Sequence, residues 1–353
     1  MHTVGVFGSD ALLSPKESTM RAALVPSYGS PDIIQLVERP MPVPGPTELR
    51  VRVHASPVTQ GDRRVRGGDY PGIMGTIGRL AMGWNGPRAS VPGSMFAGVV
   101  EAVGSQVQRF QPGDRVFGVS MDGAHADALV IDHTKAVAHI PAHLSFAEAA
   151  AVPFGAGTAL PYLRDLGAVK AGDRVLVIGA AGGVGRYAVQ VARHLGAHVT
   201  GVCRREQVEQ VRSLGVDAVV VREDADWRDL LETWDVIFDT SDRFTLADAR
   251  PRLPRTGRFL TLGLTTWQGV WDLLRSRFSA GPTMGWTVVL DDQANVEAVA
   301  ELLASGALQP VVGPRFSLEQ LADAHRLLET RSVPRVVMID VVPPTPSLAV
   351  ATA

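Results

Sequence analysis

The sequence predicts an α/β protein with two domains: a mainly β domain, and a second domain built on a doubly wound parallel sheet. In residues 20–145, short segments alternate apolar and polar side chains, which is typical of half-buried strands. In residues 146–290, short apolar runs alternate with segments of helical periodicity, the pattern of a parallel sheet with helices on both faces. A chain of 353 residues is long enough for two such cores.

The first region is predicted to contain strands at 49–55, 97–103 and 115–117, the last entered through the turn Pro112-Gly113-Asp114. Segment 67–91 is rich in glycine and has no sustained period. We expect either a lid over a substrate or a merely packed excursion there.

The second region is predicted to begin with a helix, because Ser145 and Glu148 have the spacing of a capping box. A second capping box, Ser317 to Gln320, opens a later helix. Further helices are expected at 208–214, 227–234 and 292–305, and strands at 174–178, 198–203, 218–221, 236–238, 258–262 and 335–339. Residues 1–19 are predicted to be a disordered leader and residues 342–353 a flexible tail.

Composition excludes several classes of function. The formal net charge of -2 and the dispersed basic residues do not favour nucleic-acid binding. Cys203 is the single cysteine, which rules out an internal disulfide and a cysteine-ligated structural zinc site. The sequence has no secretory signal and no uncharged stretch suited to a membrane span, so we expect a cytoplasmic protein without a membrane partner.

Residues 174–205 read as a dinucleotide-binding βαβ unit. A strand is followed by a glycine cluster, a helical stretch to Leu195, and a second strand at 198–203. Glycines permit a tight turn and close approach to a diphosphate, and the N–H groups that begin the helix favour its charge. The alternative is a glycine-rich turn without ligand. The predicted binding residues are Gly179, Ala181, Gly182, Gly183, Val184 and Gly185.

The end of the second strand points to NADPH. A protein that selects NAD usually has an acidic residue there, whereas this chain has Arg204 and Arg205, and no acid before Glu206. Two guanidinium groups can hold the additional phosphate. The alternative is a pair of solvated arginines. Thr240 and Gly263, at the ends of two further strands, are predicted to line the same cleft.

The chain resembles the medium-chain dehydrogenase/reductase superfamily, in particular the zinc-free quinone oxidoreductases and enone reductases. The resemblance is carried by residues 92–104 and 110–118 and by the glycine-rich unit that begins at Gly172. It implies a chaperonin-10-like domain formed by residues 20–145 and 291–341, and a Rossmann domain with NADPH at 146–290. It also suggests a homodimer, formed through a sheet edge near residues 286–290.

The resemblance further implies that no metal is bound. Where zinc-dependent relatives have a cysteine this chain has Thr59, and where they have a histidine it has Ser94. Two departures from the zinc-free pattern put catalytic details in doubt: Thr59 stands where asparagine is common, and Met95 where an acid is common.

We expect hydride transfer to a quinone or an α,β-unsaturated carbonyl, with hydrogen-bond donors meeting the negative charge on oxygen. The candidate catalytic residues are Thr59, Arg64 and His125, and Thr158 aligns with a family residue near the nicotinamide. The alternative for His125 is a structural histidine in a strand, hydrogen-bonded to the backbone. The alternative for Thr158 is a hydroxyl that is hydrogen-bonded to the backbone of its own helix. Two other functions stay open: an NADPH-binding protein with little turnover, and a pathway-specific biosynthetic reductase.

Overall fold

A computed structural model describes residues 18–70, 75, 83, 86–87, 91–120, 122–278, 280–288, 292–330 and 336–342. Nearly all of the predicted leader and tail and most of segment 67–91 lie outside the described residues, so the predictions made for them stay untested.

The strands of the described part alternate with helices in the second half of the chain, as the periodicity predicts. They are β1 (Thr19–Leu24), β2 (Gln35–Pro40), β3 (Glu48–Val58), β4 (Met95–Val103), β5 (Arg115–Val119), β6 (Ala128–Asp132), β7 (Val137–His139), β8 (Arg174–Ile178), β9 (His198–Cys203), β10 (Ala218–Val221), β11 (Val236–Asp239), β12 (Arg258–Thr261), β13 (Thr283–Gly285), β14 (Val312–Ser317) and β15 (Val336–Asp340).

The helices cover both faces of the second sheet and join the two halves of the molecule. They are α1 (Gln60–Gly67), α2 (Phe146–Ala150), α3 (Pro153–Pro161), α4 (Gly185–His194), α5 (Val208–Ser213), α6 (Leu246–Ala249), α7 (Trp267–Ser276), α8 (Gln293–Ala304) and α9 (Leu321–Glu329), with a π-helical turn at Tyr162–Leu166 and 3₁₀ turns at Pro31–Ile33, Arg205–Gln207, Trp227–Asp229, Arg250–Arg252 and Leu318–Gln320.

Six strands form a parallel sheet in the order β10-β9-β8-β11-β12-β13. β8 is apolar on both faces, and Val175, Leu176 and Val177 are fully buried, because helices cover both sides. The strand order reverses between β8 and β11, which opens a crevice at their carboxyl ends. The predicted doubly wound sheet is confirmed.

The other sheet joins the two ends of the chain. Its strand order is β14-β15-β3-β4-β5-β7, with β6 also paired to β3. β15 runs antiparallel to β3, with Val337 opposite Val58. The C-terminal part therefore returns to the N-terminal β region, and α1, which begins directly after β3, lies beside the crevice. No helix in the described part is long and apolar enough to cross a membrane.

Candidate cofactor and substrate site

The glycine turn after β8 is shaped as a cradle. Gly179 has a φ of +80°, and its N–H donates to the Val202 carbonyl at 3.0 Å. A Cβ on Gly185 would lie 2.1 Å from the Gly179 carbonyl oxygen, so only glycine fits there. A Cβ on Gly183 would meet no heavy atom within 4 Å, because this residue faces open space. The turn and the first residues of α4 can therefore receive an anionic group.

Arg186 is a feature of this cradle that the sequence reasoning missed. It is almost fully buried, and its guanidinium donates to the Ala181 carbonyl at 2.9 Å and to the Gly182 carbonyl at 3.0 Å. The side chain fastens the turn and places a positive charge next to it, which favours an anion. Its position one residue after the last glycine is the sequence signal that could have identified it.

A cavity of about 410 Å³ lies beside the turn, at the carboxyl ends of β8, β9 and β11. Three cationic side chains line it: Arg204 from the end of β9, Arg222 from the end of β10, and Arg243 from the loop after β11. Arg204 also donates to Glu206 at 3.3 Å. The other residues that line the cavity are Ile178, Gly179, Gly182, Val202, Cys203, Gln207, Ala225, Asp226, Trp227, Thr240, Ser241 and Phe244.

Arg205 is placed differently from its neighbour. Its guanidinium pairs with Asp224, its backbone N–H donates to Glu223 at 2.9 Å, and it is not among the residues that line the 410 Å³ cavity. The structure thus brings Arg204 to the cavity and leaves Arg205 on the surface. Sequence reasoning missed Arg222 and Arg243. They follow β10 and β11, far in sequence from the glycine turn, so no local motif could predict that they line the cavity.

Asp239 shapes the loop that carries Thr240 and Arg243. This buried carboxylate accepts from the backbone N–H groups of Ser241, Arg243 and Phe244 at 2.8 to 2.9 Å. Thr240 lines the cavity as predicted and donates its hydroxyl to the Ile178 carbonyl at 2.8 Å. The loop is therefore held against the glycine turn.

Asp242 is the strained residue of the same loop. Its φ is +54°, a left-handed conformation that is uncommon for a side chain other than glycine. A Cβ on Gly263 would lie 2.9 Å from the Asp242 carboxyl carbon, so Gly263 leaves the room that this carboxyl occupies. Burial and the nearby Asp239 raise the pKa of Asp242, while Arg64 opposes the rise. Gly263 thus lies against a carboxyl that sequence reasoning missed, and the charge of Arg64 acts on the same carboxyl.

A second cavity, of about 250 Å³, continues the first toward the β domain. Both cavities include Gly182 and Gln207, and the second extends to Thr59 and Arg186. Together they form one path from Arg204 past the glycine turn to α1, which is the shape that an extended dinucleotide needs.

Thr59 lines this path, but its hydroxyl proton is committed. Thr59 is the N-terminal cap of α1, and its hydroxyl donates to the Asp62 carboxylate at 2.6 Å and accepts from the Asp62 N–H at 3.2 Å. Its backbone N–H donates to the same carboxylate at 2.8 Å. In this arrangement Thr59 can accept a hydrogen bond from a ligand, but it does not donate one.

The structure does not bring His125 to the cleft. The side chain is fully buried, its Nε2 lies 3.2 Å from the Pro57 carbonyl oxygen, and it lines neither cavity. Burial lowers its pKa, which the nearby Asp62 opposes. This placement corresponds to the structural alternative, a histidine whose ring nitrogen is hydrogen-bonded to the backbone.

Thr158 and Met95 meet at a third cavity, of about 130 Å³, on the inner side of α3. The Thr158 hydroxyl donates to the Phe154 carbonyl at 2.7 Å, the bond to its own helix that the sequence left as an alternative. Phe154 lines both this cavity and the 250 Å³ one. It separates an apolar compartment from the path beside the glycine turn.

Comparison with known proteins places the chain in a family. Two family models match it: an alcohol dehydrogenase GroES-like domain over residues 45–208, and a zinc-binding dehydrogenase domain over residues 214–334. The quinone oxidoreductase of Homo sapiens is 30% identical over 325 residues, covering 88% of this chain and 94% of the relative. The chain belongs to the medium-chain dehydrogenase/reductase superfamily. The GroES-like match also confirms that the chain has a chaperonin-10-like domain, while the predicted bounds of that domain stay a prediction.

Other members of this superfamily agree with the assignment. The 2-methylene-furan-3-one reductase of Solanum lycopersicum is 29% identical over 342 residues, covering 92% of this chain and 80% of the relative. The solved quinone oxidoreductase of Coxiella burnetii shares the fold, with a TM-score of 0.79 and 24% identity, covering 92% of this chain and all of that one. The chain is thus an oxidoreductase of this superfamily.

The second family model is described as zinc-binding, which raises the question whether this chain has side chains that could bind zinc. Among the described residues, no three His, Cys, Asp or Glu side chains are grouped so that they could hold a metal ion. Thr59 and Ser94 occupy the positions where the sequence analysis expects a metal ligand in zinc-dependent relatives. Zinc independence stays a prediction.

Proposed function

We propose that the protein is an NADPH-dependent, zinc-independent reductase of a quinone or an α,β-unsaturated carbonyl. The observation that carries this proposal is the cavity beside the glycine turn, which three arginines line at the place where an NAD-selective protein usually has an acid. Arg204, Arg222 and Arg243 converge from three elements, as a dianionic phosphate requires.

The residues fit a dinucleotide along the whole path. The turn that only glycine can form at position 185 would take the diphosphate, with the charge of Arg186 beside it. Thr59 and Phe154 would flank the reactive end. Bound there, NADPH would supply a hydride and be oxidised to NADP⁺.

The side chains of the site need only orient the acceptor and stabilise the charge that develops on it. A hydride adds to the β carbon of an enone, the electron pair of the double bond moves to the carbonyl oxygen, and a proton from water then reaches the α carbon. Arg64 is the predicted catalytic side chain that is half-buried and cationic, and its charge opposes the rise in the pKa of Asp242, which lies between the cavity-lining residues Ser241 and Arg243. We therefore propose that Arg64 stabilises the enolate oxygen.

The test is the rate of cofactor oxidation with NADPH and with NADH against a panel of quinones, enones and saturated aldehydes. We expect turnover with the quinones or enones, and a higher kcat/KM for NADPH than for NADH. Turnover confined to saturated aldehydes or alcohols would overturn the substrate class, and a preference for NADH would overturn the cofactor.

A second candidate, an NADPH-binding protein with little turnover, is favoured by one observation. The Thr59 hydroxyl is bonded to Asp62 and His125 is buried away from the cleft, so two of the three predicted catalytic side chains offer no proton to an acceptor. Tight NADPH binding in a fluorescence titration, without turnover on any acceptor, would support this candidate. The homodimer, the cytoplasmic location and the pathway-specific reductase stay predictions.

A further inference from the structure

The cavity of about 130 Å³ beside α3 contains a buried hydrogen-bond acceptor that the protein leaves unpaired. Asn295, in the first turn of α8, lines this cavity and is only 9% exposed. Its Nδ2 donates to the Gly157 carbonyl of α3 at 2.8 Å, which fixes the orientation of the amide because two oxygens cannot pair. The Oδ1 atom is buried and has no hydrogen-bond partner among the described residues. An acceptor of this kind requires a donor from outside the protein.

The rest of the wall favours an apolar occupant that donates a hydrogen bond. The Thr158 hydroxyl gives its proton to the Phe154 carbonyl, so toward an occupant it can only accept. The Asp292 carboxylate, which caps α8, adds further acceptor atoms. Most of the remaining lining residues are apolar, and they include Met95, Val119, Val296 and Val299.

Phe154 connects this cavity to the site of the proposed reaction. Its side chain lines both the 130 Å³ cavity and the 250 Å³ cavity of the dinucleotide path, and it is 38% exposed. A group that extends from the reactive end past the Phe154 ring would therefore enter the smaller cavity. At about 30 Å³ for each water-sized group, the cavity takes a chain of roughly three or four non-hydrogen atoms.

We infer that the 130 Å³ cavity is a specificity pocket for the acceptor. It receives a short side chain of the acceptor that ends in a hydroxyl group, and the Asn295 Oδ1 accepts the hydrogen bond from this hydroxyl. Asn295 thereby selects the substrate and takes no part in hydride transfer. A site that binds a hydroxyl in this way discriminates against an analogue without it, because the buried acceptor then stays unpaired. This inference rests on the proposed reductase function.

The test compares the NADPH-dependent turnover of two enones of equal size. One carries a hydroxyethyl group on the β carbon, the other a propyl group, and a third enone without a β substituent measures the basal reaction. We expect kcat/KM of the wild type to be at least about tenfold higher for the hydroxyethyl enone than for the propyl enone. Asn295→Leu, which replaces the amide by an apolar group of similar size, should abolish or reverse this ratio. Each ratio compares two substrates on one protein, so a partial loss of folded enzyme cancels.

Gly157→Ala tests the space in the cavity by a second route. Outside its own helix, the new Cβ would contact only the Asn295 Nδ2, at 3.5 Å, which is an ordinary van der Waals distance. We expect kcat/KM to fall severalfold more for the two substituted enones than for the unsubstituted one. The matched control is Gln293→Leu, at an amide of the same helix that donates to Glu297 at 3.1 Å and does not line the cavity. This control should keep the wild-type ratios.

The outcomes separate the specificity pocket from the reductase itself. Turnover of all three enones with a ratio near one in the wild type, or a ratio that Asn295→Leu leaves unchanged, overturns the inference and leaves the reductase standing. The cavity would then hold water only. Absence of turnover with every enone overturns the inference together with the enone part of the proposed function.

Discussion

Arg204 is the side chain on which cofactor choice is expected to depend. We predict that Arg204→Ser raises KM for NADPH by about tenfold to a hundredfold, because a hydrogen bond to a charged group contributes about 1.5–3 kcal/mol. KM for NADH should change little, since NADH lacks the phosphate. Steady-state kinetics with both cofactors measure the effect.

Arg205 provides the matched control for that variant. It is the neighbouring residue of the same type, but it pairs with Asp224 and does not line the cavity. Arg205→Ser should therefore change KM for NADPH much less than Arg204→Ser. Equal losses for the two variants, or equal effects on NADPH and NADH, would contradict the assignment of the phosphate to Arg204.

Gly185 is predicted to be irreplaceable for folding. Gly185→Ala would put a methyl group 2.1 Å from the Gly179 carbonyl oxygen, and the nearest atoms are all backbone atoms of Gly179 and Ala180, which cannot rotate away. We expect the free energy of unfolding to fall by about 2 kcal/mol or more in urea titration.

Gly183→Ala is the comparison, because its Cβ meets no atom of the protein within 4 Å. We expect its stability to be close to that of the wild type and its NADPH binding to be weaker, since the new methyl group enters the open side of the cradle. A stable Gly185→Ala protein would show that the turn is not as tight as described.

Local patterns predict residues whose role is local. The binding glycines could be predicted because their spacing between a strand and a helix is typical of the turn that they form. Arg222 and Arg243 could not, because tertiary structure brings them to the cavity from the ends of other strands. Thr59 was predicted to donate a hydrogen bond to the substrate. Its hydroxyl instead caps α1 and donates to Asp62.

The elements that the sequence analysis named follow the periodicity closely, with one exception. Capping boxes at Ser145 and Ser317 open helical segments as predicted. Segment 227–234 was expected to be a helix, and that prediction was wrong. Only a 3₁₀ turn forms at Trp227–Asp229. In a helix Trp227, Leu231 and Trp234 would share one face, but the structure buries the two tryptophans and leaves Leu231 90% exposed.

Helix α9 is predicted to make the protein sensitive to acid. His325 on this helix is fully buried, and neither ring nitrogen has a hydrogen-bond partner among the described residues. Burial, together with the charges of His125 and Arg66, lowers its pKa to about 3. The stability that neutral His325 preserves is fully present above the unfolded-state pKa of about 6.5, and is lost as pH falls from there toward 3.

The expected slope is about 1.4 kcal/mol per pH unit in this window, because unfolding then takes up one proton at this site. His325→Leu should reduce the slope of unfolding free energy against pH, measured by urea titration between pH 7.5 and 5. His143→Leu, at an exposed histidine, is the control and should leave the slope as it is. An unchanged slope in His325→Leu would refute the prediction.

At the scale of the whole molecule, the path between the two domains is the feature that no segment predicts alone. Gly182 and Gln207 belong to both cavities. The far end of the second cavity includes Val337, which lies opposite Val58 in the sheet although the two residues are more than 250 positions apart in the sequence. The resemblance to the family predicted that the C-terminal part returns to the β domain. Composition and periodicity alone could not predict it.

The predicted metal independence concerns the whole enzyme, and it can be tested on the intact chain. Thr59 and Ser94 are poor donors for Zn²⁺ where relatives offer thiolate and imidazole, and Cys203 is buried away at the end of β9. We therefore expect full NADPH-dependent turnover after dialysis against EDTA, and far less than one zinc per chain by elemental analysis. A zinc-dependent alcohol dehydrogenase treated in parallel should lose its activity. Turnover that disappears with EDTA and returns with Zn²⁺ would show that donors outside the described residues complete a metal site.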